Sequence, residues 1–491
     1  MNINILLDTN IFIKISECES NIETASAEMS KLVDQLSYHV FCHPIQKEEF
    51  ERDPNLERKR KNLIHLKYYN ELRNPPIPTP EEIAKLGWSE KNENDRVDNC
   101  LLYALHSNCV HFLVTEDKGL LSKARSAGLE ERAFRLDDFV YYLEQQSDPS
   151  FSVPVGIEDI FLYELDLNDP FWASLRNSYD TFDDWIQKAS REQRKTWCIR
   201  AGRKPLAVCI YKTEEPESIT DDGKRLSGKI LKLCTFKVGE DLQGKKIGER
   251  LLYTAFKYAN EGNYDYVYLH TDTDKQWKLV DLLRDFGFRR FGKYQNNDVY
   301  VKKMKPSPMI PVRAVALDFA RKYYPCFLDD ENVQKFIVPI KPSFHNELFP
   351  DVSDDANTLF AFEFCKEKSQ SNTIKKAYLC HANTKQIKPG DLLLFYRSED
   401  RQSIEVLGIV EKTFLSTDPL AIQLEVAKRT VYTDKDLNAI ATKETRVLLF
   451  RYIKSFTPIS QEKLEELSIK GPIQTIRKID HQQYLHLMEQ R

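Results

Sequence analysis

Residues 229–272 read "KILKLCTFKVGEDLQGKKIGERLLYTAFKYANEGNYDYVYLHTD". A strand ("ILKLCTFKV"), a polar turn with glycines, an amphipathic helix and a second strand ("YDYVYLHTD") follow one another. Where such a turn enters a helix, the first backbone N–H groups have no partner within the helix, and the helix dipole favours negative charge there. The place is a natural seat for a pyrophosphate. Lys245 and Lys246 add positive charge to it. Glycine turns between strands and helices are common, so the turn alone names no ligand.

Working outward from it, "LVDLLRDFGFRRFGKY" (279–294) adds a helix and a turn, and "DVYVKKM" (298–304) adds a closing strand. The whole resembles a GNAT acyltransferase, with a domain at 155–305. The resemblance implies an α/β domain that binds acetyl-CoA. Backbone groups of Phe236 and Val238 would line the pantetheine arm, and Gln243, Gly244, Lys245, Lys246, Ile247 and Gly248 would wrap the pyrophosphate. Two positions depart from the family pattern. Lys246 stands where the loop usually has its third glycine, and Leu283 where many members carry a tyrosine acid. General acid–base work needs positioned groups. His270 and Glu240 are the candidates, although His270, ending a strand, reads more readily as a packed histidine.

The N-terminal part has a different chemistry. "LLDTNIFI" (6–13) drives Asp8, Thr9 and Asn10 into the space after an apolar run, and "VHFLV" (110–114) leads in the same way into "TED". Short continuous apolar runs suit strands buried on both faces. Taken alone, Asp8 serves equally as a helix N-cap or as a ligand at the carboxyl edge of a parallel sheet. "KEEF" adds Glu48 and Glu49 at a helix start, and "NDRVDNCLLYAL" puts Asp95 and Asp98 on one helix face. Carboxylates gathered at one edge repel one another unless a cation intervenes. Oxygen-only donors suit Mg²⁺ or Mn²⁺ rather than zinc, and such a site supports metal-activated hydrolysis of a phosphodiester.

In their order, "LLDTN", "KEEF", "DNCLLYA" and "LVTEDKGL" resemble the four motifs of a PIN domain, the nuclease fold of toxin nucleases and RNA-processing enzymes, here at 1–147. The resemblance implies an α/β/α sandwich with Asp8, Glu49, Asp98 and Asp117 as catalytic carboxylates. The metal would rest on Asp8, Asp98 and Asp117 with Asp95 as an additional ligand. Asn10 and Thr115 would support them, and Glu48 would substitute for Glu49.

From 312 to 491 the chain turns β-rich. "KPGD" (388–391) precedes the strand "LLLFYRS", a polar hairpin turn and the strand "VLGIVEKTF". This resembles the PUA-like barrels of the ASCH and EVE type, which implies binding of RNA or a modified base. Tyr396 and Arg397 would contact a base and a phosphate, with His345 and Phe349 at the pocket rim.

The resemblances together imply a multidomain α/β plus β-rich protein, and length and composition suit a globular chain of about three domains. The chain has 491 residues, 41% apolar and 30% charged, which is too much apolar residue for a disordered chain and too long for one core. A formal net charge of −4 confines any basic surface to local runs such as "RKRK" (58–61). Ten scattered cysteines without a CxxC pair read as reduced thiols of a cytoplasmic protein, and no stretch reads as a leader or a membrane span. Two turn-rich stretches, "QQSDPSFSVP" (145–154) and "KKMKPSPMIP" (302–311), mark linkers.

The three resemblances converge on RNA. Together they imply a metal-dependent endoribonuclease, acting for instance on tRNA, with an acetyl-CoA-binding acyltransferase or sensor domain and an RNA-binding domain. A toxin or defence setting with a protein inhibitor or antitoxin as partner is the family context. Two alternatives stand beside this reading: an acyltransferase proper whose PIN domain is degenerate and only holds RNA, and a non-catalytic protein that binds RNA and acetyl-CoA.

Overall fold

The computed structural model describes residues 3–17, 24–147, 153–154, 156–214, 218–306, 315–349, 352, 366–367, 373–382, 384–429 and 432–489. The chain divides into two compact units: Met1–Phe151 with Ser416–Lys443, and Ser152–Leu415 with Glu444–Arg491. It is a multidomain protein of mixed α/β and β-rich parts. Among the described residues no helix is long and apolar enough to cross a membrane.

In the first unit, β1 (Asn4–Leu7), β2 (His39–Cys42), β3 (Asn70–Glu71), β4 (Phe112–Val114) and β5 (Ala133–Phe134) form a sheet of order β3-β2-β1-β4-β5. Every pairing in it is parallel. Side chains alternate across the strands. Ile5, Leu7, Phe112 and Val114 therefore join one core, with residues of the helices Thr9–Glu17, Thr24–Gln35 and Leu136–Ser147. Leu6 and Leu113 join the other, with the helices Glu93–His106 and Lys118–Ser126. The result is an α/β/α sandwich. The strand order reverses between β1 and β4, and open α/β sheets keep their crevice at the carboxyl ends of such a pair.

Ser416–Lys443 falls within the expected 312–491 domain, yet its side chains complete the first unit. Leu420, Leu424 and Ala427 pack in the same core as Phe134, Phe139 and Tyr142.

The second unit begins with a short two-stranded ribbon, β6 (Val153–Pro154) with β15 (Lys366–Glu367). Its first large sheet has seven strands: β7 (Glu158–Phe161), β8 (Lys195–Ala201), β9 (Lys204–Glu214), β10 (Ile230–Val238), β11 (Tyr266–Thr271), β12 (Arg289–Tyr294) and β13 (Asn297–Lys303). They run in the order β12-β13-β11-β10-β9-β8-β7. Only β10 and β11 are parallel neighbours, joined by the helix Ile247–Glu261 as the sequence predicts.

A second large sheet contains β14 (Lys335–Ile340), β16 (Lys375–Cys380), β17 (Leu392–Arg397), β18 (Ser403–Ser416), β19 (Thr445–Ser460) and β20 (Arg477–Ile479), ordered β16-β19-β18-β17-β14-β20. The expected hairpin is there, with Leu392–Arg397 antiparallel to Ser403–Ile409. Among the described residues this sheet is open, with β16 and β20 as its edges.

Candidate acyl-CoA cleft and carboxylate cluster

The cleft follows from a register change in β10. Its parallel pairing with β11 runs from Ile230 to Leu233 and stops, while its antiparallel pairing with β9 continues to Val238. A bulge lies between Leu233 and Thr235; bulges bend the strand that carries them and raise its twist. Past that point β11 pairs with β13 up to Thr271, so β10 and β11 part and leave a wedge between them. The Gly239 N–H donates to Leu206 O in β9 (2.9 Å). Since backbone groups alternate sides along a strand, those of Phe236 and Val238 turn away from β9, into the wedge.

The turn after β10 closes one side of it. Glu240–Leu242 make a single 3-10 turn, Gly244 takes φ +74°, and Lys246 takes φ +58° directly before the helix Ile247–Glu261. No side chain caps this helix, which leaves its first N–H groups to bond an anion or water. Gly248 sits tightly: a Cβ there would lie 3.2 Å from Leu282 and 3.7 Å from the Phe236 ring. The Glu249 carboxylate accepts from the N–H groups of Ile374 (2.8 Å) and Lys375 (3.1 Å) and so fixes the first helical turn to β16.

The acid–base candidates fare differently. Leu283 is fully buried in the core. The His270 ring stacks on Tyr294 (4.9 Å between centroids), and its Nε2 is buried with no hydrogen-bond partner. Burial, helped by the charge of Lys232, lowers its pKa to about 4. It is a packed, neutral histidine. Glu240 starts the 3-10 turn and is exposed.

At the switch point of the first unit, the Asp8 carboxylate accepts from Thr9 N (2.6 Å), Asn10 Nδ2 (2.6 Å) and Thr115 Oγ1 (2.5 Å). Burial raises its pKa to about 7 against the Thr115 bond, and the charges of Asp98 and Glu49 push the same way. Glu49 accepts from Thr9 Oγ1 (2.5 Å). Asp98 is raised to about 6 by burial, opposed by Lys123 and reinforced by Asp117 and Asp95. Asp8, Glu49, Asp98 and Asp117 therefore face one another through their charges.

They do not form a metal cage. Among the described residues, no three His, Cys, Asp or Glu side chains gather closely enough to hold one ion. The expected sharing of one Mg²⁺ or Mn²⁺ by Asp8, Asp98, Asp117 and Asp95 finds no ready cage among the described residues, and Lys123 stands between two of the four. Its Nζ donates to Asp95 (2.9 Å) and Asp98 (3.2 Å), a resident cation between two of the four carboxylates. Asp95 is held below its usual pKa, first by the Lys91 N–H and then by Lys123. Asp117 spends an oxygen capping the helix Lys118–Ser126, accepting from Leu120 N (2.8 Å). Sequence reasoning missed Lys123, because a lysine in "LLSKARS" looks like any solvated helix residue. Glu48 is exposed and pairs loosely with Arg96.

Tyr396 and Arg397 are also placed differently from the expected base-stacking surface. All of β17 is buried, since it runs between β18 and β14. The Tyr396 hydroxyl donates to Gln461 (2.9 Å), and Arg397 is locked on Asp400 and Asn346 (2.7 Å). His345 lies fully buried, edge-on to Phe349, with Nε2 3.6 Å from the Glu405 carboxylate. Burial lowers its pKa to about 3.

A strand pair that splays at a bulge, followed by a glycine turn into a helix, defines a class, and the comparison with known families agrees. Residues 160–288 match the Acetyltransferase (GNAT) family. The chain matches no curated protein sequence. Among solved structures it is similar to an IAA acetyltransferase from Bacillus cereus ATCC 14579 (17% identity, 30% of this chain and 95% of that one, TM-score 0.22). It is also similar to Tetrahymena GCN5 (11% identity, 30% and 98%, TM-score 0.23). A third is ASCH from Zymomonas mobilis (11% identity, 32% and 94%, TM-score 0.24).

Proposed function

We propose that the protein is an acyl-CoA-dependent N-acyltransferase that takes acetyl-CoA in the wedge between β10 and β11. The observation that carries this is the parting of those strands after Leu233, with backbone groups of Phe236 and Val238 turned into the gap. In this reading these groups bond the amides of the pantetheine arm. Gln243–Gly248 and the uncapped helix start hold the pyrophosphate, assisted by Lys245 and Lys246. An acceptor amine adds to the thioester carbonyl and forms the C–N bond, the C–S bond breaks with its electron pair on the CoA thiolate, and the proton the amine gives up passes through solvent to that thiolate. Leu283 offers no proton to the departing thiolate. The chain's contribution is then orientation and exclusion of water, and the acceptor we favour is an amine carried by RNA, such as an aminoacylated tRNA.

Calorimetry of the full chain with acetyl-CoA tests this. Gly248→Asp should weaken binding at least tenfold, because a carboxylate would stand at the anion seat against Leu282 and Phe236. No binding of acetyl-CoA or CoA to the wild type at millimolar concentration would remove the reading.

A metal-dependent ribonuclease is the second reading, favoured by the buried Asp8 facing Asp98 and Glu49. The carboxylates as they stand do not fit an ion, so no hydrolytic step is derived. If Asp8 is a ligand, Asp8→Asn should abolish Mn²⁺-dependent RNA cleavage. If it is a cap, Asn replaces it nearly as well and cleavage persists.

A further inference from the structure

The helix Leu56–Leu66 lies in the first unit and packs beside Ile45–Glu51, the helix that holds Glu49. One side of it is conventional: Leu66 and Asn62 are buried and Leu63 packs on the core. The opposite side repeats every fourth residue, which keeps side chains on one face of a helix. Leu56 is 77% exposed, Arg60 is exposed, Ile64 is 46% exposed, and in the turn that follows Tyr68 is 80% exposed beside Lys67. Among the described residues seven large apolar side chains are exposed, and Leu56, Ile64 and Tyr68 on this one face are three of them. This is a concentration rather than the usual scatter.

Charge makes the face specific. Arg58 is taken by Asp53 and Lys47 by Glu71, whereas among the described residues Arg60 and Lys67 have no ion pair. These two cations, with the exposed Glu57 as an acidic neighbour on the same side, leave the face net positive on a chain of net charge −4. Cations interleaved with flat or branched apolar groups suit a ligand that offers phosphates and uncovered base faces together. A single strand does this, while a duplex stacks its base faces away.

We infer that the face carrying Leu56, Arg60, Ile64, Lys67 and Tyr68 is a docking surface for single-stranded nucleic acid. Tyr68 stacks on a base, Leu56 and Ile64 cover base and sugar, and Arg60 and Lys67 bind phosphates. This goes beyond acyl transfer and does not depend on it or on phosphodiester hydrolysis, since binding is measured without either activity.

The test is fluorescence anisotropy of the full chain with labelled oligo(U) and oligo(dT), their duplexes, and vesicles containing phosphatidylserine. Arg60→Glu with Lys67→Glu should weaken single-strand binding at least tenfold and flatten its dependence on log salt by about 1.4, since each phosphate contact on a single strand contributes ~0.7. Tyr68→Ala should weaken it about tenfold with the salt slope unchanged. Lys188→Glu, an exposed site in the other unit, should change nothing. Circular dichroism checks that the variants, all at exposed positions, stay folded. Wild-type affinity in both variants, a preference for duplex, or binding to the vesicles alone would each overturn the assignment.

Discussion

Lys302 is fully buried, and its Nζ donates to the carbonyls of Phe286 (2.7 Å) and Lys322 (3.2 Å). Burial, with a smaller push from Arg451, lowers its pKa to about 7. The sign follows from linkage: between pH 7 and about 10.5 the unfolded chain binds the extra proton, so stability rises with pH across that window, and below it the full penalty remains. Lys302→Met removes the titration. Melting temperatures at pH 7 and pH 9 should rise in the wild type and stay level in the variant; parallel profiles would show that the ammonium is compensated where it sits. Lys123 makes the complementary case, a cation inserted among acids. Lys123→Met leaves Asp95 and Asp98 without their partner, and we expect a loss of about 1–3 kcal/mol by urea denaturation. Added Mn²⁺ should then restore more stability to the variant than to the wild type. An equal response would mean that Lys123 does not stand in for an ion.

The turn Gln243–Gly248 shows how far local sequence reaches. Its position, the helix behind it and both flanking strands were legible, because a glycine turn between an apolar strand and an amphipathic helix has few other solutions. The bulge that opens the wedge was not, since "LCTF" carries no signal separating a bulged strand from a straight one. Nor was the conformation of Lys246, whose φ of +58° is one that a side chain adopts at a cost of roughly 1–2 kcal/mol. The glycine that the family pattern expects there would adopt it freely. Two substitutions should therefore act with opposite signs. Lys246→Gly should leave stability unchanged or raise it by up to ~1 kcal/mol, the relief being offset by a more flexible unfolded chain. Gly244→Ala, at φ +74°, should lower stability by about 1 kcal/mol or more. Urea midpoints of the full chain check both. Destabilisation by Lys246→Gly would show that side-chain contacts of Lys246 outweigh its backbone strain.

At the scale of the whole chain, the sequence shows where composition changes but not where a late segment returns to an early core. Ser416–Lys443 sits between β18 and β19, which are neighbours in their sheet, so a short turn would have joined them. Instead the segment carries two helices, Pro419–Val426 and Asp434–Ile440, into the first unit. Gln423 donates to the Tyr142 hydroxyl (2.6 Å) and to Asp434 (2.6 Å), and Tyr38 donates to Asp434 (3.3 Å). Arg429 pairs with the nearly buried Glu131 (2.5 Å), and Lys428 donates to Ala133 O (2.5 Å) at the end of the parallel sheet. None of this is visible in "DPLAIQLEVAKR", whose apolar residues would serve any neighbouring surface. The packing leads us to expect that residues 1–151 do not stand as a self-sufficient domain. Cut out alone, they would expose the face that Leu420, Leu424 and Ala427 cover and leave Glu131 without its arginine. Removing one partner of a buried pair is more costly than never having built it. The fragment 1–151 should therefore aggregate or unfold at low urea, whereas the same fragment joined to 416–443 through a flexible linker should be soluble and unfold in one cooperative transition. In the full chain, replacing 416–443 by a short glycine–serine turn should lower the melting temperature of the first unit and leave acetyl-CoA binding intact. An isolated 1–151 fragment with the same urea midpoint as the linked form would show that the returning helices only rest on a finished core.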